Sequence, residues 1–212
     1  SRRQEVSQAA LERRRSVMAR AEQGRGPVMS KAFVSACLSE AIEGRDAVVL
    51  SELGAPLEEL TLRSHGSWFQ EPHSGGLGWC LPAALGMKLA RPDKLVIATM
   101  GDGSYMFANP VACHQISEAV GIPLLVIVLN NAEWGAVRQS VLGVYPDGFA
   151  ARSNAMPLVS LSPSPDFTMI AAASRAWTAK VDRSEDLPSV LQQAIEHVMK
   201  RKTQAFVEIQ IA

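Results

Sequence analysis

Lys94-Leu95-Val96-Ile97-Ala98-Thr99-Met100 runs directly into Gly101-Asp102-Gly103-Ser104, and Pro123-Leu124-Leu125-Val126-Ile127-Val128-Leu129 runs directly into Asn130-Asn131. Each half is a continuous apolar run that stops at a polar cluster. Such runs suit strands buried on both faces, and the helix expected between them completes a βαβ unit with a polar cluster at each strand's carboxyl end. In open parallel sheets ligands bind at that edge, because neighbouring loops part there and helix N-termini face the gap. Asp102 offers a hard carboxylate oxygen and Asn131 a hard amide oxygen, a donor pair suited to Mg²⁺ or Ca²⁺ rather than zinc. Gly101 and Gly103 let backbone amides approach an anion closely. Together these residues read as a Mg²⁺-bridged diphosphate site.

Working outward, Asn109 is placed to cap the central helix, with Pro110 at its first position and Gly121 past its end. His114 on this helix is assigned a structural role. Upstream, residues 4 to about 22 read as an exposed helix with little apolar stripe, broken by Gly24 to Pro27. Ser30 caps a helix through about Ile42, and Ala47-Val48-Val49-Leu50-Ser51 is a buried strand followed by Glu52-Leu53-Gly54-Ala55 at its carboxyl edge. Ser67-Trp68-Phe69 is a short strand leading to His73-Ser74-Gly75-Gly76-Leu77-Gly78, and a helix with Pro82 in its first turn continues to about Leu89. Downstream, a helix opens near Ala132 to Ser140, and residues 141 to about 165 form a long loop without a period. Asp166 caps a helix through Ala176, Trp177 to Val181 is a strand, Leu187 to about Lys200 is an amphipathic helix, and Ala205 to Ile211 closes the chain. Strand starts at Ala47, Ser67, Leu95, Leu124, Trp177 and Ala205 alternate with helices. The expectation is an α/β fold: a doubly wound, mainly parallel six-stranded sheet with helices on both faces.

Composition sets the bounds. The 212 residues suffice for one α/β domain, and 47% hydrophobic content fits a buried sheet. Lys plus Arg and Asp plus Glu number 21 each, so no basic field points to nucleic acid or an anionic membrane surface. Cys37, Cys80 and Cys113 lie far apart in apolar helical patterns and read as reduced core thiols of a cytoplasmic protein. No segment approaches the roughly 20 apolar residues of a membrane span.

Gly101-Asp102-Gly103 followed by Asn130-Asn131, with Gly75-Gly76-Leu77-Gly78 and Pro82-Ala83-Ala84 upstream, resembles the thiamine diphosphate enzymes of the 2-oxoacid decarboxylase and acetolactate synthase superfamily, benzoylformate decarboxylase among them. The likeness covers residues 27 to 212 and corresponds to the C-terminal, diphosphate-binding domain of a longer chain, leaving residues 1 to 26 as a helix and linker from a preceding domain. The resemblance implies that Asp102, Asn131 and the backbone carbonyl of Glu133 hold Mg²⁺. It implies further that Gly101, Gly103, Ser104, Trp134 and Gly135 line the diphosphate. Gly54 and Ala55 stand where family members often carry hydroxyl residues, so that contact falls to backbone amides. Two residues are assigned to the reacting part of thiamine diphosphate: Gly75, whose carbonyl accepts from the aminopyrimidine amine, alongside Gly76, and Leu77, the wedge that bends the cofactor into a V. His73, Ala136 and Ser140 are the candidate substrate contacts, and Ser140 in place of an aromatic gives no support to an aryl substrate.

One part of the family's machinery has no counterpart here. The glutamate that activates the pyrimidine ring is carried in this family on an N-terminal domain, usually of another subunit, and no segment of the chain matches it. The resemblance therefore implies half of an active site, completed by an N-terminal pyrimidine-binding domain in a homodimer or homotetramer and acting on a small 2-oxoacid by decarboxylation, carboligation or both. An acetolactate synthase-type transferase and a non-catalytic cofactor-binding or scaffold domain are the alternatives. A nicotinamide dehydrogenase is disfavoured, because Gly76-Leu77-Gly78 is followed by Leu81 where the third glycine of that motif belongs.

Overall fold

A computed structural model describes residues 1–72, 74–153 and 156–212. The six apolar segments become β1 (Ala47–Glu52), β2 (Trp68–Gln70), β3 (Leu95–Gly101), β4 (Leu125–Asn130), β5 (Trp177–Val181) and β6 (Ala205–Gln210). They form one sheet in the order β2-β1-β3-β4-β6-β5, and every pairing is parallel. Central strands in such a sheet are covered on both sides, which is why β4 is buried at all six positions.

The period of two splits the strand side chains between two cores. Val49, Ile97, Leu125, Ile127 and Val207 pack on one face with helices α2 (Lys31–Ala41) and α9 (Leu187–Glu196). Val48, Leu50, Val96, Ala98, Val126 and Phe206 pack on the other with α3 (Cys80–Ala90), α5 (Pro110–Val120) and α8 (Phe167–Ala172). The doubly wound expectation holds, with an all-parallel sheet. Cys37, Cys80 and Cys113 are free and buried. No helix among the described residues is long and apolar enough to cross a membrane.

The chain leaves β1 outward to the edge strand β2, then crosses back to β3 on β1's other side and continues to β4. The direction of winding reverses between β1 and β3, so a crevice opens at their carboxyl ends. The β1 to β2 connection holds only a 3-10 turn, Leu57–Glu59, so helices do not alternate with strands throughout as expected.

Several elements differ from expectation in extent. The βα connection after β3 is two helices, α4 (Asp102–Phe107) and α5. Asn109 does occupy the N-cap position of α5 but adopts a left-handed conformation, φ 51°, and makes no side-chain cap bond. The helix after Asn131, α6 (Gly135–Val144), runs into the segment expected to be loop, and α7 (Phe149–Arg152) lies within it. Asp166 caps α8 as expected, accepting from the Thr168 amide, but α8 stops at Ala172 rather than Ala176. Helix α1 (Arg2–Gln23) is mostly exposed, yet it buries Val17 and Ala21 beside α2 and sends Arg20 to Glu58 at 2.6 Å.

Candidate functional site

Four loops converge on the β1–β3 crevice. The junction of β3 and α4 brings Asp102, 2% exposed, to the floor. Its Oδ1 accepts from the Gly103 amide at 3.0 Å, while Oδ2 is buried with no hydrogen-bond partner. Burial pushes its pKa up, opposed by amides of Gly103, Asp102 and Ala132 and by the Lys31 ammonium. A buried carboxylate with a free oxygen is a hard donor of the kind a divalent cation takes. Gly101 ends β3, and Gly103 and Ser104 are buried in α4's first turn. A side chain at Gly103 would displace the Trp134 ring, since an added Cβ would meet it at 2.4 Å.

The β4 end supplies the second wall, and its two asparagines have separate jobs. Asn130, 1% exposed, is structural: its Nδ2 donates to the buried Glu208 carboxylate on β6 at 2.8 Å and its Oδ1 accepts from the Ala132 amide at 2.9 Å. Asn131 is half-buried at the crevice, with Oδ1 accepting from the Glu133 amide at 3.2 Å. Trp134 donates to the Val159 carbonyl and Leu161 to the Ala132 carbonyl, both at 2.8 Å, so residues 159–161 pair alongside Glu133 and fix this turn. Asp102, Asn131 and Glu133 are thus brought to adjacent strand ends with oxygens suited to Mg²⁺, and Gly135 opens α6 behind them.

The third loop follows β1. Gly54 lies so close to β3 that an added Cβ would come within 2.4 Å of the Thr99 backbone. The Ala55 amide donates to Thr99 Oγ1 at 3.1 Å and is buried, so the expected Ala55 amide contact to a phosphate is corrected: that donor is committed within the protein. Its neighbour Glu52, 1% exposed, reaches across to the fourth loop. The Glu52 carboxylate accepts from the Gly78 and Cys80 amides, each at 2.7 Å, and so hangs the Gly75-Gly76-Leu77-Gly78 turn from the end of β1. Gly75 and Gly76 are exposed and Leu77 is 44% exposed, so Leu77 is no core leucine. Cys80 is no nucleophile, because burial, then the Glu52 carboxylate, raise its thiol pKa far above the ordinary range.

The candidate substrate contacts are less gathered. Ala136 and Ser140 are exposed on α6, where the Ser140 hydroxyl donates back to the Ala136 carbonyl at 2.9 Å. His73 lies outside the described residues. His114 is structural, as expected: it sits buried between the Tyr105 hydroxyl at 2.8 Å and Gln204 Oε1 at 2.7 Å. Glu52, which anchors the glycine turn, and Lys31, whose ammonium donates to the Leu53 carbonyl at 2.6 Å, were not assigned cofactor contacts from the sequence. The one available signal for Glu52 was a carboxylate closing an otherwise apolar strand.

An all-parallel sheet with a buried carboxylate, one oxygen unpartnered, at its switch point is an α/β domain of the kind that binds a ligand at the carboxyl ends of its strands. Within that class, the chain belongs to the family described as thiamine pyrophosphate enzyme, C-terminal TPP binding domain, whose model matches residues 56–209. It is 29% identical over 157 residues to acetolactate synthase of Mycobacterium avium, a match spanning 72% of this chain and 24% of that protein. It is 34% identical over 103 residues to benzoylformate decarboxylase of Pseudomonas aeruginosa, covering 47% of this chain and 19% of that one. Among solved structures, the thiamine diphosphate-dependent 4-hydroxybenzoylformate decarboxylase of Rhodococcus jostii RHA1 superposes with a TM-score of 0.74 at 26% identity, covering 88% of this chain and 33% of the other. The chain therefore spans about a quarter of the length of the first curated relative it matches, 24%.

Proposed function

We propose that this chain is the diphosphate- and Mg²⁺-binding half of a thiamine diphosphate-dependent enzyme that decarboxylates a 2-oxoacid, with or without carboligation. The observation that carries it is Asp102: a buried carboxylate with one oxygen unpartnered, at the switch point and beside the Asn131 turn. In this reading Asp102, Asn131 and the Glu133 carbonyl hold Mg²⁺, and Gly101, Gly103, Ser104, Trp134 and Gly135 surround the diphosphate. Gly54 closes the β1 side. When bound, thiamine diphosphate supplies a carbon nucleophile and an electron sink for the departing carboxylate. The protein's share is placement. Leu77, standing out of the Glu52-anchored turn, would bend the cofactor, and the carbonyl of Gly75, with Gly76 beside it, would hold the aminopyrimidine amine. His73, Ala136 and Ser140 remain the proposed substrate contacts.

Residues 27 to 212 form the cofactor domain in this proposal, and residues 1 to 26 lead from a preceding one. The ring-activating glutamate comes from an N-terminal pyrimidine-binding domain, in a cytoplasmic homodimer or homotetramer. The match to acetolactate synthase keeps carboligation within the proposed chemistry.

The test is Asp102→Ala. Loss of a single supporting residue around a metal costs roughly 10- to 100-fold in metal affinity, so loss of a ligand should exceed about 100-fold and remove Mg²⁺-dependent activity from the assembled enzyme. Unchanged Mg²⁺ dependence would refute the site.

A further inference from the structure

The loop after β1 reads Leu53-Gly54-Ala55-Pro56, without a hydroxyl, and the Ala55 amide is committed to Thr99. A diphosphate lodged in the crevice would carry more negative charge than one Mg²⁺ balances, and this wall offers it little. The missing charge stands nearby, on a different element. Lys31 is the first residue of α2, and its ammonium reaches the Leu53 carbonyl at 2.6 Å. Leu53 bridges Met100 of β3, two residues ahead of Asp102. The ammonium therefore sits at the mouth of the β1–β3 crevice, held there by one of its three donors, with two left for a ligand.

Its surroundings suit an anion. No carboxylate pairs with Lys31 among the described residues, although Asp102 and Glu71 act on it through space. Lys31 is an exposed residue, so its ammonium is open to a ligand, while partial desolvation of that group outweighs Asp102 and Glu71 and lowers its pKa. Neither carboxylate lies within ion-pair distance of it: Asp102 turns one oxygen to the Gly103 amide, and Glu71 is the residue after the edge strand β2.

We propose that Lys31 is a direct ligand of the cofactor's diphosphate, supplying from α2 the contact that the loop after β1 lacks; this rests on the diphosphate reading of the crevice given above. The lysine acts as a point charge on phosphate oxygens, with Mg²⁺ on the Asp102 side and the ammonium on the Leu53 side. Its bond to Leu53 fixes where that charge stands before the ligand arrives.

The experiment titrates the full chain with inorganic diphosphate and with thiamine diphosphate, each with Mg²⁺, by calorimetry, for the parent, Lys31→Gln and Lys31→Arg. Lys31→Gln should bind both ligands about tenfold or more weakly, and Lys31→Arg should stay within about threefold of the parent. Binding by Lys31→Gln within about twofold of the parent would overturn the proposal. So would equal weakness of Lys31→Gln and Lys31→Arg, since the tie to Leu53 rather than the charge would then be what matters. If the parent itself binds neither ligand, the diphosphate reading fails and the role of Lys31 fails with it, an outcome distinct from the other two.

Discussion

Two residues show how burial assigns work. His114 is buried between Tyr105 and Gln204, and burial lowers its pKa against the opposing bond from Gln204. A folded state that keeps this imidazole neutral binds fewer protons than the unfolded chain, whose histidine titrates near 6.5. The contribution is therefore intact above about pH 6.5 and is lost as pH falls below it toward the lowered folded value. Urea midpoints at pH 7 and pH 5.5 should differ more for the parent than for His114→Gln; equal differences would show that His114 is not the group responsible. Leu77 is the opposite case, a large apolar side chain left 44% exposed. Leu77→Ala should change stability by no more than about 0.5 kcal/mol, as surface substitutions do, while weakening cofactor binding; equal affinity in variant and parent would remove the wedge assignment. At this scale Asp102 and Asn131 were legible because each closes an apolar run at a spaced motif. Glu52 and Lys31 were not, because what each touches, residues 78 and 80 for one and 53 for the other, is set by how strands and helices stack.

The elements repeat this division. The central strands β3 and β4 were legible because a strand buried on both faces must be apolar throughout, and no helix of these lengths needs to be, whereas the partly exposed edge strands β2 and β5 carry polar residues and gave a weaker signal. Helix ends were less so. α4 starts on the residue after β3 ends, leaving no loop to announce it, and the left-handed Asn109 then separates it from α5. The Gly75 to Gly78 turn has little apolar packing of its own, since three of its four residues are exposed, so its placement depends on Glu52. Glu52→Ala would orphan two amides, at a cost of about 1–3 kcal/mol for each that stays dry. Urea denaturation should show that loss, and cofactor affinity should fall with it. A variant as stable as the parent would mean that the turn is positioned by other contacts.

For the whole molecule, two cores sealed on either side of a six-stranded sheet make a unit able to fold without further chain. Beside the buried strand ends, by contrast, Gly75, Gly76 and Leu77 stand exposed, where the proposed second domain would cover the rest of the ligand. The resemblance read from residues 101–103, 130–131 and 75–78 agrees with the family that residues 56–209 match. Turnover of 2-oxoacids by the 212-residue chain should accordingly be undetectable and should appear when an N-terminal pyrimidine-binding domain is supplied. The most direct test of the half-site is a calorimetric titration of this chain with thiamine diphosphate, with Mg²⁺ and then with a chelator. Saturable but weak binding that needs Mg²⁺ and disappears in Asp102→Ala is the predicted result; no binding, or binding that is the same with the chelator, would contradict it.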